Sequence, residues 1–249
     1  MTRRDWVTRR ATLLGAGGLA AAGAGLASGF GIAQATSDNP APAKLLAAAA
    51  TPPPGEDLMA EHGLLVRILL IYRHLSTAAA AGQSLQAAQL HDAALIIHDY
   101  IEGFHEELEE AYVFPRLRQH GKLADTVATL LLQHARGREQ TQLILAETGG
   151  SGLLRPAATG SVITAMAAFV RMYEPHEARE DTVVFPAFRA ILPASELAQL
   201  GQHFAELQRQ QFGNAGFSTM VSRVAHIEQA LGIYDLAQFT PANITPPAS

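Results

Sequence analysis

HEELEEAYVFPRLR at residues 105–118 and HEAREDTVVFPAFR at residues 176–189 are one motif written twice, at a constant offset of 71. Seven of the fourteen positions are identical, among them His105/His176, Glu106/Glu177, Glu109/Glu180 and Phe114-Pro115/Phe185-Pro186. A self-similarity of this length points to a duplicated structural unit. Upstream of each copy stands a lone histidine, His62 lying 43 residues before His105 and His134 lying 42 before His176. The duplicated unit is therefore a hairpin, and two hairpins related by a pseudo-two-fold axis would each supply one lone His and one His-x-x-x-Glu pair.

Around the motif the pattern is helical. Leu58, His62, Leu65 and Leu69 recur at helical spacing, which predicts a first helix over about 56–81, closed by Gly82. A second runs over about 85–113, where Phe114-Pro115 is expected to end or kink it, because proline lacks the amide hydrogen and crowds the preceding turn. A third spans about 123–147 and a fourth runs from 156 to about 192, interrupted or kinked at Pro175 and Pro186. Two shorter helices follow, over about 195–212 and 217–231. The expected architecture is all-α, an up-and-down four-helix bundle over residues 56–192 with a helical extension over 193–232 and a tail from 233.

The spacing carries chemistry. Residues four apart on a helix lie one above the other, so an imidazole and a carboxylate can reach the same ions from one face. Four imidazoles and two carboxylates aimed into an apolar bundle would each cost several kcal/mol, roughly, if left unpaired, and coordination to cations removes that penalty. The expected donors are His62, His105, Glu109, His134, His176 and Glu180. The chain has no Cys, which excludes thiolate zinc sites, cysteine-ligated iron–sulfur clusters and thiol catalysis. Any metal must sit on nitrogen and oxygen.

With these residues in view, the sequence resembles the hemerythrin family, in particular the wider group of hemerythrin-like domains that bind cations through His-His-Glu sets. The resemblance covers about residues 56–192. It implies a pair of non-haem irons, with zinc or manganese as alternatives, held by His62, by His105 with Glu109, by His134, and by His176 with Glu180. It further implies that Glu109 and Glu180 bridge the two ions. Oxygen-carrying members have a second His four residues after the third-helix ligand; here that residue is Arg138, which disfavours reversible oxygen carriage and opens a coordination position. Carriers also place Asp five residues after the fourth-helix His, where Asp181 stands, and the choice of Glu180 rests on its match to Glu109. The implied function is interaction with dioxygen or a related small oxidant in sensing, scavenging or iron handling. A di-iron oxidase or peroxidase and a structural zinc or manganese bundle are the alternatives.

Residues 1–35 read as an export signal. Arg3, Arg4, Arg9 and Arg10 precede a Gly/Ala-rich apolar run that ends in Ala33-Gln34-Ala35, a small-x-small cleavage pattern. The stretch from Thr8 to Leu14 resembles a twin-arginine signal, with Thr12 where Phe is usual. The expectation is a periplasmic or extracellular protein, with residues 36–55 as an Ala/Pro-rich linker and no membrane association after cleavage. Removing residues 1–35 leaves 14 basic and 22 acidic residues, a balance unsuited to nucleic acid.

Other polar positions are assigned lesser roles. His98 and Glu102 share the His105 stripe but correspond to Phe169 and Tyr173 in the second copy, so they read as partly exposed. His74 lies about 120° from His62. His203 with Glu206, and His226 with Glu228, have no repeat partner and read as surface or packing residues. Tyr112 and Tyr173 read as bundle packing near the ligands.

Overall fold

The computed structural model describes residues 52–149, 154 and 156–241. The export signal, all but the end of the linker and the last eight residues of the tail lie outside the described residues. The described chain is helical, with no strand among those residues.

Helix α1 is Pro54–Ala80. Pro54 occupies the first helical position, where its missing amide hydrogen costs nothing, and Glu56 and Asp57 in the first turn complement the helix dipole. Gly82, at φ +79°, takes the left-handed conformation that stops the helix. Helix α2 is a continuous rod over residues 87–119, α3 is Ala124–Thr148, and α4 is a rod over residues 156–191. Helix α5 is Ala194–Phe212, α6 is Gly216–Leu231, and Leu236–Phe239 forms a closing 3₁₀ turn.

The first four helices pack in a ring, α1 on α2 and α4 and α3 on α2 and α4, and the ends of α2 and α4 also meet. Helix α5 packs on α1 and α6, and α6 also packs on α1 and α2. Leu65, Ile68, Leu69 and Tyr72 of α1, Ile97 and Ile101 of α2, Ile144 of α3, and Val162, Met166 and Phe169 of α4 are all buried in the shared core. Each such aliphatic side chain contributes about 1.5–3 kcal/mol by leaving water. The midpoint between His62 and His105 falls within the loop that joins α1 to α2. That between His134 and His176 falls at the junction of α3 and α4. Each hairpin thus sets its two histidines level.

The prolines of the repeat do not end their helices. In α2 the backbone widens to π-helical geometry at Glu109–Val113 and resumes α geometry at Phe114–Gln119. In α4 it widens at Glu180–Val184 and resumes at Phe185–Ile191. A widened turn relieves the clash of the proline ring with the carbonyl four residues back, so the rod continues where a regular helix would break. The two π segments occupy matching positions in the duplication. A longer π segment, Ile97–His105, occurs only in α2. Pro175 lies inside the α-helical stretch Pro156–Arg179, which runs on through it.

Candidate metal centre

The two hairpins bring six side chains to one point inside the bundle. His62, His105, Glu109, His134, His176 and Glu180 are all buried, Glu109 and Glu180 completely. One potential cation set is His62, His105 and Glu109, and a second is His134, His176 and Glu180. The four imidazoles turn their Nε2 atoms inward. The Nε2 atoms of His62 and His105 are 3.0 Å apart, and those of His134 and His176 are 3.3 Å apart.

The two carboxylates lie between these pairs. Glu109 places Oε1 3.7 Å from His105 Nε2 and Oε2 3.5 Å from His134 Nε2. Glu180 Oε2 lies 3.4 Å from His62 Nε2 and 3.0 Å from His176 Nε2. Each carboxylate therefore touches one histidine of each pair. Two donors about 2.1 Å from one ion, at tetrahedral to right angles, stand about 3.0–3.4 Å from each other. The two histidine pairs and both contacts of Glu180 fall in that range, and the contacts of Glu109 lie just beyond it at 3.5 and 3.7 Å. Neither oxygen of Glu109 or Glu180 makes a hydrogen bond, although both side chains are sealed from solvent. Buried carboxylate oxygens without donors call for a cation.

The outward nitrogens are all engaged. Nδ1 of His62 lies 2.7 Å from Asp181 Oδ1, that of His105 2.8 Å from Glu61 Oε2, that of His134 3.0 Å from Glu110 Oε1 and that of His176 2.9 Å from Gln133 Oε1. Each Nδ1–H donating outward leaves Nε2 as the inward lone pair, the arrangement seen where histidines ligate metals. The four acceptors follow the duplication: Glu61 and Gln133 each precede a lone His, and Glu110 and Asp181 are 71 apart. The phenylalanines do the same. Phe185 stacks on His62 with ring centres 5.4 Å apart, and Phe114 lies against His134 at 5.7 Å.

Electrostatics reflect this crowding. Burial opposes charge on His62, but the hydrogen bond to Asp181 and the negative charge of the adjacent Glu180 overcome it and push the imidazole up to about 9. Burial and the neighbouring His62 hold His105 well below the usual histidine range, and burial takes His134 down to about 4. Glu109 is raised by burial and then by Glu180. For Glu180, burial is outweighed by His176 and His62, which hold the carboxyl well below its ordinary value.

The remaining sequence expectations fall into place around this centre. Arg138 points away from it, pairing with Glu106 and Glu110 at 2.7 Å each. Its guanidinium thus meets both carboxylates of a third acidic group, Glu106, Glu110 and His134. Asp181 backs His62 from outside. Tyr173 is buried, donates to Glu106 Oε1 at 2.7 Å and crosses α3 at Gly137, where a Cβ would stand 2.1 Å from the phenol oxygen. Tyr112 lies elsewhere, 2.9 Å from His203 Nε2 through its hydroxyl. His98 is exposed, but Glu102 is buried at 5 % exposure rather than partly exposed. Glu228 is buried and takes a two-pronged contact from Arg67 at 2.9 and 2.5 Å, and His226 is exposed. Sequence reasoning passed over Glu61, Gln133 and Glu110; their signal was the register each shares with its counterpart in the other hairpin.

Paired hairpins converging imidazoles and carboxylates on a sealed interior define a cation-binding helical bundle. Residues 54–188 match the family described as Hemerythrin HHE cation binding domain. The chain belongs to that family. It is similar to uncharacterized proteins of Mycobacterium bovis and of two strains of Mycobacterium tuberculosis, each 49% identical over 187 residues, spanning 75% of this chain and 73% of the relative. No solved structure matches it.

Proposed function

We propose that the chain is an exported non-haem di-iron protein that meets dioxygen or a related small oxidant in sensing, scavenging or iron handling. Its metal-binding core is an up-and-down four-helix bundle formed by α1 to α4. The observation that carries this reading is the pair of fully buried carboxylates, Glu109 and Glu180, which lack hydrogen bonds and face four inward Nε2 atoms. His62 and His105 would hold one ion, His134 and His176 the other, with Glu109 and Glu180 shared. Imidazole and carboxylate donors suit iron, zinc and manganese alike, and kinship with the hemerythrin family favours iron. Bound iron would supply one-electron chemistry and coordination of a small oxidant.

The protein's own groups do the rest. Asp181, Glu61, Glu110 and Gln133 fix the tautomer and orientation of each ring. Phe114 and Phe185 exclude water from the lone histidines. With Arg138 engaged by Glu106 and Glu110, the set contains four imidazoles for two ions, which favours positions left for an exogenous ligand. Turnover as an oxidase or peroxidase would use those same positions. Export rests on Arg9-Arg10 and Ala33-Gln34-Ala35 and places the mature protein in the periplasm or outside the cell.

Elemental analysis of the natively purified protein tests the reading. Two irons per chain are expected. A metal-free protein after anaerobic loading with ferrous ion would end it, and stoichiometric zinc or manganese would replace iron with the structural alternative. Steady-state consumption of peroxide with a reductant separates turnover from binding.

A further inference from the structure

The two halves of the centre agree at every inward donor and differ one step out. His62 and His105 both donate from Nδ1 to carboxylates, Asp181 at 2.7 Å and Glu61 at 2.8 Å. Glu61 is 1 % exposed, and its other oxygen accepts hydrogen bonds only from neutral groups, Tyr100 at 2.7 Å and Gln208 of α5 at 3.3 Å. Among the described residues no arginine or lysine pairs with it, whereas Glu110 is paired with Arg138. In the second half, His176 donates from Nδ1 to the amide oxygen of Gln133, a neutral acceptor. His134 does donate to a carboxylate, but the same Oε1 of Glu110 also accepts from Arg138 at 2.7 Å. The guanidinium takes up much of that negative charge.

The distinction matters because the partner of the outer nitrogen tunes the inner one. A carboxylate behind an imidazole raises the basicity of the ligating nitrogen and adds negative charge close to the cation, whereas an amide orients the ring without either effect. Resting on the paired-cation reading above, we infer that the two metal positions are unequal. The position between His62 and His105 binds a divalent cation first and more tightly, and the position between His134 and His176 fills second. Gln133 and Arg138 act as positioning residues that set the difference. Gln208 couples the tighter position to α5, a helix beyond the matched family region.

Crystals of the full chain, loaded anaerobically with one equivalent of ferrous ion and measured at the iron absorption edge, provide the test. A single anomalous peak between His62 and His105 is expected. Equal half-occupied peaks, or a peak at His134 and His176, would overturn the inference while leaving the paired-cation reading intact. No peak even at two equivalents would overturn both. Anaerobic calorimetric titration gives an independent readout. Gln133 is half-buried, so Gln133→Glu should fold, and circular dichroism checks that it does. The variant should tighten the second binding step about 10–100-fold, the range typical of partners behind a ligand, and draw the two steps together. Repulsion between two ions would separate the steps even in a symmetric centre, but it would not respond to Gln133→Glu in this way. An unchanged separation in a folded variant contradicts the inference.

Discussion

Asp181 Oδ1 stands 2.7 Å from His62 Nδ1, on the side of the imidazole that faces away from the centre. The adjacent Glu180 faces inward, with Oε2 3.4 Å from the Nε2 of the same ring. Two neighbouring carboxylates thus grip one histidine from opposite sides, and they should respond differently to replacement. Glu180→Ala should abolish the paired centre, leaving at most one ion per chain. Asp181→Ala, whose side chain is 35 % exposed, should keep both ions but weaken binding about 10–100-fold. Metal content after dialysis against a graded chelator separates the two outcomes, and equal loss in both variants would contradict the assignment.

His105→Ala or His176→Ala should remove metal from the protein and lower the melting temperature of the loaded form. Ligation stabilises only the folded chain, so losing it removes that increment. In the presence of chelator, the variants should melt much closer to the metal-free parent. Unchanged metal content in both variants would refute their role.

Without metal, stability should fall as pH rises from about 6.5 to 8. Burial lifts Glu61 to about 7, and burial, chiefly, lifts Glu106 to about 8. The hydrogen bond to Asp181 and the charge of Glu180 lift His62, against burial, to about 9. Each folded value lies above the unfolded one, so the native chain binds more protons and loses that advantage as pH climbs through the folded value. His134, lowered to about 4, and His105, also lowered, act in the opposite sense. Their effect is complete by the unfolded value of about 6.5. Two bound cations should flatten or reverse the trend, since their charge favours the deprotonated groups. Thermal melts of both forms at pH 6.5 and 8 check this, and a metal-free melting temperature that rises with pH would contradict it.

Gly137→Ala should cost about 1–3 kcal/mol of stability, because the new methyl would overlap the buried Tyr173 hydroxyl and ring. It should also break the Tyr173–Glu106 hydrogen bond. The double variant Gly137→Ala/Tyr173→Leu should recover much of the packing loss in denaturant unfolding. An additive pair of effects would show that the two residues do not collide.

Much of this architecture is legible in the chain because helical patterning and the duplication support each other. The bounds of α1, α3 and α5 follow apolar spacing and their glycine or proline flanks to within two residues. The convergence of the six inward donors follows from the repeat, since each hairpin sets its histidines level across its own loop. What stayed hidden depends on local backbone geometry. Pro115 and Pro186 read as points where a helix ends, is interrupted or kinks, because a regular helix cannot absorb them, and nothing in residue type announces a π turn. Glu102 read as partly exposed because its counterpart in the second copy is Tyr173, yet it lies on the His105 stripe and is buried at 5 % exposure. Glu61 and Gln133 sit one residue before the lone histidines and outside the duplicated motif, and their differing side chains hide the shared register.

The widened turns at Glu109–Val113 and Glu180–Val184 have a consequence for how the two copies can diverge. A π turn holds one residue more than the α turn it replaces, so each stretch carries slack that a regular helix lacks. Removing a single residue from either stretch would let the turn close to α geometry and drive the ring of Pro115 or Pro186 back against the carbonyl four residues earlier. Substitution inside these five-residue stretches changes a side chain, but a deletion removes the room that lets each helix pass its proline. Their length is therefore as much a part of the centre as the identity of any donor.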